Sequence, residues 1–189
     1  GAITGITGDT FVVDRWEWDL NIGTWTVTHS NESPSSSGIQ YSQKAECTTA
    51  GTLGATSLVR FRQKLEGQQL EAFGDKEYSL SFWFKSNVNG VYSATIINNQ
   101  SSKRSSATFT VSDNNWNHIK LNLKSGPGAY TYYNTQSAEL CINVVAGTTY
   151  SSGTPNSGWG TDNGLLAAGQ TANCNSVGAI VYLLSLIHI

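Results

Sequence analysis

The sequence contains no methionine, only three cysteines and three prolines, and no apolar run near the ~18 residues that a membrane-spanning helix requires. Each shortage excludes something. Cys47, Cys141 and Cys174 stand far apart without a CxxC pair, so they outline neither a metal site nor a disulfide framework. They are expected to be free and structural, because cysteine commonly behaves as a small buried hydrophobe; a Cys141–Cys174 bridge is the exception left open. Charge is also scarce, at 13% of residues against roughly 25% in an ordinary domain. A formal net charge of −2 supplies no basic stripe to neutralise phosphates, which argues against nucleic acid as a partner. No basic-then-apolar leader opens the chain, and "GAITGITGDTF" reads as the start of a fragment or of a domain cut from a longer protein.

What replaces charge is Ser, Thr, Asn and Gly, with 19 glycines. Such a surface suits neutral polar ligands, exposure outside a cell or packing into an assembly. A chain of 189 residues is one domain by the usual prior. Period-2 alternation recurs in "TFVVDRWEW" (10–18), "TWTVTH" (24–29), "IQYSQKAE" (39–46), "SLVRFRQKL" (57–65), "YSLSFWFKSNVNGVYSATII" (78–97), "ATFTVS" (107–112), "NHIKLNLK" (117–124), "AELCINVVA" (138–146) and "AIVYL" (179–183). One short helical turn is expected in "EGQQLEAFG" (66–74), and 146–178 reads as a long polar loop region. About ten short strands with turns between them predict an all-β, two-sheet antiparallel jelly-roll sandwich.

Catalysis needs a constellation, and none assembles. Asp9, Asp14 and Glu17 lie near the first strand, and Glu66, Glu71 and Asp75 surround the helical turn. A glycosidase needs two carboxylates ~5–10 Å apart across a groove. The simpler role for Asp14–Arg15 and Glu66 is to tie strand ends and turns by hydrogen bonds. Neither His29 nor His118 has the partners of a triad or a zinc site. No catalytic residue, metal ligand or cofactor is therefore expected. Carbohydrate recognition needs exposed aromatic faces beside amides and charged groups. Trp16, Trp18, Trp25 and Trp116 adjoin core-phase positions and are assigned to the core. Trp159 in "PNSGWGTDNG", and Tyr132 and Tyr133 (with Tyr130) in "GPGAYTYYNTQ", lie in polar loops. The candidate ligand-binding residues are thus Trp159, Tyr132, Tyr133, Asn134, Asn156 and Asp162. The competing role for these rings is to pin a long loop to the sandwich. Trp83 and Lys85, out of phase with Leu80, Phe82 and Phe84, can face the same side as Arg60, Arg62 and Lys64 of the preceding strand. That arrangement fits cation–π shielding, a ligand groove or a subunit contact.

Asp14-Arg15-Trp16, Gln63-Lys64-Leu65-Glu66-Gly67, Phe73-Gly74, Leu80-Ser81-Phe82-Trp83 and Lys85-Ser86 follow one another in order across nearly the whole chain. This ordered set resembles the jelly-roll domains of bacteriophage tail-fibre and other virion proteins, which are related in architecture to carbohydrate-binding modules. The resemblance implies a non-catalytic domain on a virion tail or surface. Its implied role is adhesion to host polysaccharide, with a host cell-surface glycan, other virion subunits and a second copy of itself as partners, and without membrane insertion. The alternatives are a carbohydrate-binding module of a secreted, extracellular glycoside hydrolase, or a purely structural virion domain. One stretch departs from the pattern: "LSLIHI" (184–189) resembles the read-through of a sequencing adapter at the end of an environmental gene fragment. The domain is accordingly expected to span 1–183, with 184–189 a non-native scar; a genuine apolar last strand is the other reading.

Overall fold

Alternating residues form a strand when one row can be buried, and in this chain nearly every such row is buried against another. The computed structural model describes residues 1–13, 16–70, 77–123 and 136–184. It contains twelve strands among them: β1 (Ile3–Ile6), β2 (Thr10–Val13), β3 (Trp16–Leu20), β4 (Thr24–Ser30), β5 (Ser42–Thr49), β6 (Leu58–Glu66), β7 (Tyr78–Ser86), β8 (Gly90–Asn98), β9 (Lys103–Val111), β10 (Asn117–Leu123), β11 (Gln136–Ala146) and β12 (Ile180–Leu184). Sheet A runs β1-β4-β5-β12-β7-β10 and sheet B runs β2-β3-β6-β11-β8-β9, each antiparallel throughout. The inner orders β5-β12-β7-β10 and β6-β11-β8-β9 are those of a jelly roll. The first four strands lengthen both sheets on one side.

Three local expectations change. The stretch 10–18 contains two antiparallel strands, β2 and β3, with Thr10 opposite Trp18 and Phe11 opposite Glu17. Ile39 and Tyr41 precede β5 instead of alternating within it, and Tyr41 is 56% exposed. The helical turn is α1 (Gly67–Leu70), and the rest of its predicted span lies outside the described residues, as do Asp14 and Arg15. The long loop carries two short turns of its own, α2 (Thr148–Ser151) and a 3-10 turn over Asn163–Leu166.

The core has two aromatic centres. Trp18 meets Trp25 and Phe61 edge-on, at ring separations of 5.0 and 4.5 Å. Farther along, Phe109 packs against Phe82, Phe84 and Tyr92 at 5.4, 5.2 and 5.7 Å. The Tyr92 hydroxyl lies 2.6 Å from the Val88 carbonyl, 2.8 Å from Ser86 Oγ and 3.1 Å from Cys174 Sγ, so its polar end is satisfied inside the core. All three cysteines are free and buried. Cys174 belongs to the cluster between the sheets, whereas Cys141 alternates with inward Leu140 and Ile142 and so sits on the far side of sheet B. The sheet itself separates the two thiols.

Phe82 is buried in phase with Leu80 and Phe84, while Trp83 is half-buried on the opposite face. Phe82→Ala is therefore expected to cost ~3–5 kcal/mol in a denaturant melt and Trp83→Ala much less. Equal losses would show both faces to be core. Burial also pushes the Cys174 thiol up to about 11 and the Cys141 thiol up to about 12, from an ordinary 9.0. A raised thiol pKa means that the fold favours the protonated form. The contribution is therefore intact below about pH 9 and is lost as pH rises through about 11–12. The denaturation midpoint should fall across that window. An aromatic disulfide reagent should leave the native thiols untouched at about pH 8 yet titrate all of them in denaturant; rapid native labelling would contradict their burial.

Candidate functional site

The outer faces of the two sheets differ in chemistry. On sheet B, β6 turns Arg60, Arg62 and Lys64 outward between β3 and β11, which return carboxylates. Arg60 Nε donates to Asp19 at 2.6 Å. Arg62 reaches Asp19 at 2.8 Å and Glu17 and Asp9 at 2.9 Å, and Lys64 lies 3.0 Å from Glu17. Glu139 adds a looser contact to Arg60 at 3.6 Å. Burial pushes the Asp19 carboxyl above its ordinary value, against the pull of Arg60 and Arg62. Burial also raises Asp9, but its hydrogen bonds to Asp19 and Arg62 outweigh that and hold it below. The carboxylates nearest to an acid/base role are thus engaged in an ion-pair lattice. Beside it the long loop covers β8 and β11. The Asn143 amide donates to Ser93 Oγ, Thr95 Oγ1 and the Leu166 carbonyl at 3.0, 3.1 and 2.9 Å, and the Ser93 hydroxyl donates to Gln170 at 2.9 Å.

Because β6 belongs to sheet B and β7 to sheet A, Arg60, Arg62 and Lys64 lie on the opposite side of the sandwich from Trp83 and Lys85. The expectation that these rows share a face is corrected by the crossing between sheets. The neighbours of Trp83 come from β10 and β12. Register sets His118 opposite Trp83 and Lys120 opposite Ser81, and sets Tyr182 between Lys85 and Lys44. The Trp83 and His118 rings stack at 4.6 Å with 17° between planes, and Ser81 Oγ lies 2.8 Å from His118 Nε2. Trp116 tilts over Tyr182 at 5.8 Å. Lys85 Nζ sits 5.1 Å from the centre of the Tyr182 ring and 2.7 Å from Glu32, while Lys44 pairs with Glu46 at 2.8 Å. His118 is exposed, Trp83 and Trp116 are half-buried and Tyr182 is buried. The result is a row of rings framed by hydroxyl, imidazole, ammonium and carboxylate groups. Ring faces take the C–H faces of a sugar, and the polar frame takes its hydroxyls.

The loop candidates lie elsewhere. Trp159 is half-buried and packs against the core. Next to it, Gly160 exchanges backbone hydrogen bonds with Arg104 of β9 at 2.8 and 3.0 Å. Asp162 is exposed and its carboxylate accepts from Gly164 N at 2.8 Å, capping the 3-10 turn. Asn156 is exposed, has φ 58°, and donates its backbone N–H to the Ser106 carbonyl at 2.9 Å. Tyr132, Tyr133 and Asn134, with Tyr130, lie outside the described residues. Trp116, assigned to the core by sequence, projects onto the outer face of sheet A. The signal was present: in "WNHIK" Trp116, His118 and Lys120 share one phase opposite to inward Ile119. Among the described residues no group of three or more His, Cys, Asp and Glu side chains is placed to hold a metal ion.

No family model and no curated protein matches the chain. The crystal structure of the bacteriophage CBA120 tailspike protein 4 enzymatically active domain is similar, with a TM-score of 0.52 and 16% identity over 92% of this chain and 19% of that one. An arabinose-bound MgGH51 α-L-arabinofuranosidase matches at a TM-score of 0.47 and 14% identity, over 95% of this chain and 24% of that one. The likeness concerns the fold, and the chain spans about a fifth of the tailspike's length. The class defined here is an antiparallel two-sheet β-sandwich domain. Its particular features are an open aromatic face on sheet A and an ion-paired, loop-covered face on sheet B.

Arg60 is 8% exposed and its partner Asp19 13%. Arg60→Met should therefore destabilise the domain by about 1.5–3 kcal/mol near neutral pH, because Asp19 loses one charged hydrogen bond but keeps Arg62 at 2.8 Å. An Asp19 further raised by that loss is disfavoured only when ionised, so the deficit should shrink as pH falls toward about 4. A deficit independent of pH would show that Arg60 acts by packing alone.

Proposed function

We propose that this domain is a non-catalytic, tail-fibre-like virion-surface domain that adheres to host polysaccharide through the outer face of sheet A. The observation that carries the reading is the aromatic row of that face. A Trp83–His118 stack and a Trp116–Tyr182 pair stand side by side on neighbouring strands, with Ser81, Lys85 and Glu32 at their margins. Flat ring surface with directional polar groups at its rim is what a neutral sugar needs, and the low charge of the sequence suits a ligand without charge. A non-catalytic role is supported by the pairing of Asp9, Glu17 and Asp19 with arginines, which removes them as free acids or bases. The ordered motifs shared with phage tail-fibre jelly rolls support the virion setting. The loop set of Trp159, Asn156 and Asp162 with Tyr132, Tyr133 and Asn134 is the rival location for the same activity.

A glycan array on the domain, followed by affinity and melting measurements on Trp83→Ala and Trp159→Ala, tests this reading. Trp83→Ala is expected to weaken binding on the order of tenfold, since removing ring contact of ~1 kcal/mol or more costs about that factor. Its melting midpoint should stay close to that of the parent protein. Loss confined to Trp159→Ala would move the site to the loop, and absence of binding to any glycan would overturn the function.

A further inference from the structure

Beyond the aromatic face, a second feature lies where the two sheets end. A cleft of about 360 Å³ opens between β9, the last strand of sheet B, and β10, the last strand of sheet A. Ala107 and Leu121 line its apolar part, and Glu77, Thr108, Lys120, Asn122 and Asn156 supply its polar lining. That volume holds about a dozen waters' share of liquid, which a sugar ring of about a dozen non-hydrogen atoms would displace. It falls within the usual size range of small-ligand sites.

The hydrogen-bonding capacity of this lining is largely unused. Asn122 Oδ1 accepts from the Ser79 hydroxyl at 3.1 Å, which leaves its amide N–H groups to donate. Asn156 is held at φ 58° by its backbone bond to Ser106, and its side-chain amide makes no hydrogen bond to any described residue. The same holds for the Thr108 hydroxyl. Among the described residues neither Lys120 nor Glu77 has an ion-pair partner, whereas Lys44, Lys64 and Lys85 are all paired. An ammonium, a carboxylate, two amides and a hydroxyl therefore line one cleft with donors and acceptors in balance and no net charge.

We infer that this cleft is a second glycan subsite, specific for a neutral, hydroxylated sugar residue of the chain that lies on the aromatic face. The inference rests on the proposed glycan reading. β10 joins the two regions: its outward row runs His118, Lys120, Asn122, so the stacked imidazole and the cleft lie about 7 Å apart along one strand. A sugar offers adjacent hydroxyls that accept from Lys120 and the amides and donate to Glu77. An anionic sugar would gain Lys120 but face the Glu77 carboxylate, and a cationic one the reverse. Balanced opposite charges thus select neutrality.

Nitrogen-15 NMR separates the two regions on one sample, because the side-chain amides of Asn122 and Asn156 report the cleft and the indole N–H groups of Trp83 and Trp116 report the face. The probes are cellobiose, lactose and maltose, with glucuronate and glucosamine as charged counterparts. Saturable shifts of both amides with at least one neutral disaccharide, weaker with both charged sugars, are expected. Lys120→Met should weaken the cleft response roughly tenfold, as loss of a charged hydrogen bond does, with the indole response retained. Indole shifts without amide shifts would overturn the subsite and leave the face intact. Silence of both sets would overturn the glycan reading itself, and stronger amide shifts with glucuronate would overturn the neutral assignment. The wild-type map decides these cases even if the variant fails to fold.

Discussion

The packing of Phe82, Phe84, Tyr92 and Phe109 against one another locks the register of β7, and the outer face of sheet A depends on that register. Side chains alternate strictly along a strand, so a slip of one residue would bury Lys85 and expose Phe82. Interlocked rings at 5.0–5.7 Å make such a slip costly, since each has a shaped place in a close-packed interior. With β7 fixed, ladders to β10 and β12 carry its phase outward. His118 must then stand beside Trp83, and Tyr182 beside Lys85.

The same alternation gives sheet B a different exterior. There the outward row of β6 is cationic and that of β3 is acidic, so their pairing sets Glu17 opposite Arg62 and Asp19 opposite Arg60, while β11 adds Glu139 alone. Such a lattice contributes little net stability when buried, because desolvation offsets attraction; its effect is to penalise wrong pairing of three strands. The covering loop completes the separation of roles. It places the Leu166 carbonyl over Asn143 and Thr95 and satisfies polar groups that would otherwise be orphaned beneath it. One face is closed by charge and chain, while the other presents rings.

Periodicity made much of this legible. The inward rows of β6, β7, β10 and β11 follow from counting by two, and the free cysteines agree with cysteine's habit of acting as a small buried hydrophobe. What periodicity cannot carry is the identity of a strand's neighbours. β6 and β7 are adjacent in sequence with outward rows that look alike, yet a jelly roll sends them to opposite sheets, so Arg62 and Trp83 never meet. Trp116 failed for a narrower reason: it lies one residue before β10, where its phase is readable only once the strand is extended backwards. The pairing of β2 with β3 inside 10–18 was hidden because apolar residues recur along both strands. Loop composition predicts partial exposure, and Trp159 is half-buried, with part of its ring packed against the core.

The four sheet edges tie the fold to the site. An unpaired edge invites another strand, and proteins blunt it by shortening, covering or charging it. β1 and β2 are four residues each. The edge of β9 is met by backbone hydrogen bonds from Asn156 and Gly160. β10 is seven residues long and carries the outward row His118, Lys120, Asn122. Edge protection alone explains a lysine there, since any solvated charge would discourage pairing. It does not explain why the cleft beside that lysine also holds a carboxylate that has no ion-pair partner among the described residues and two amides with donors to spare, nor why the same row begins on a stacked imidazole. A strand that only repels neighbours needs one charge; β10 carries a graded row, from ring to cation to amide, which is the row the proposed second subsite draws on.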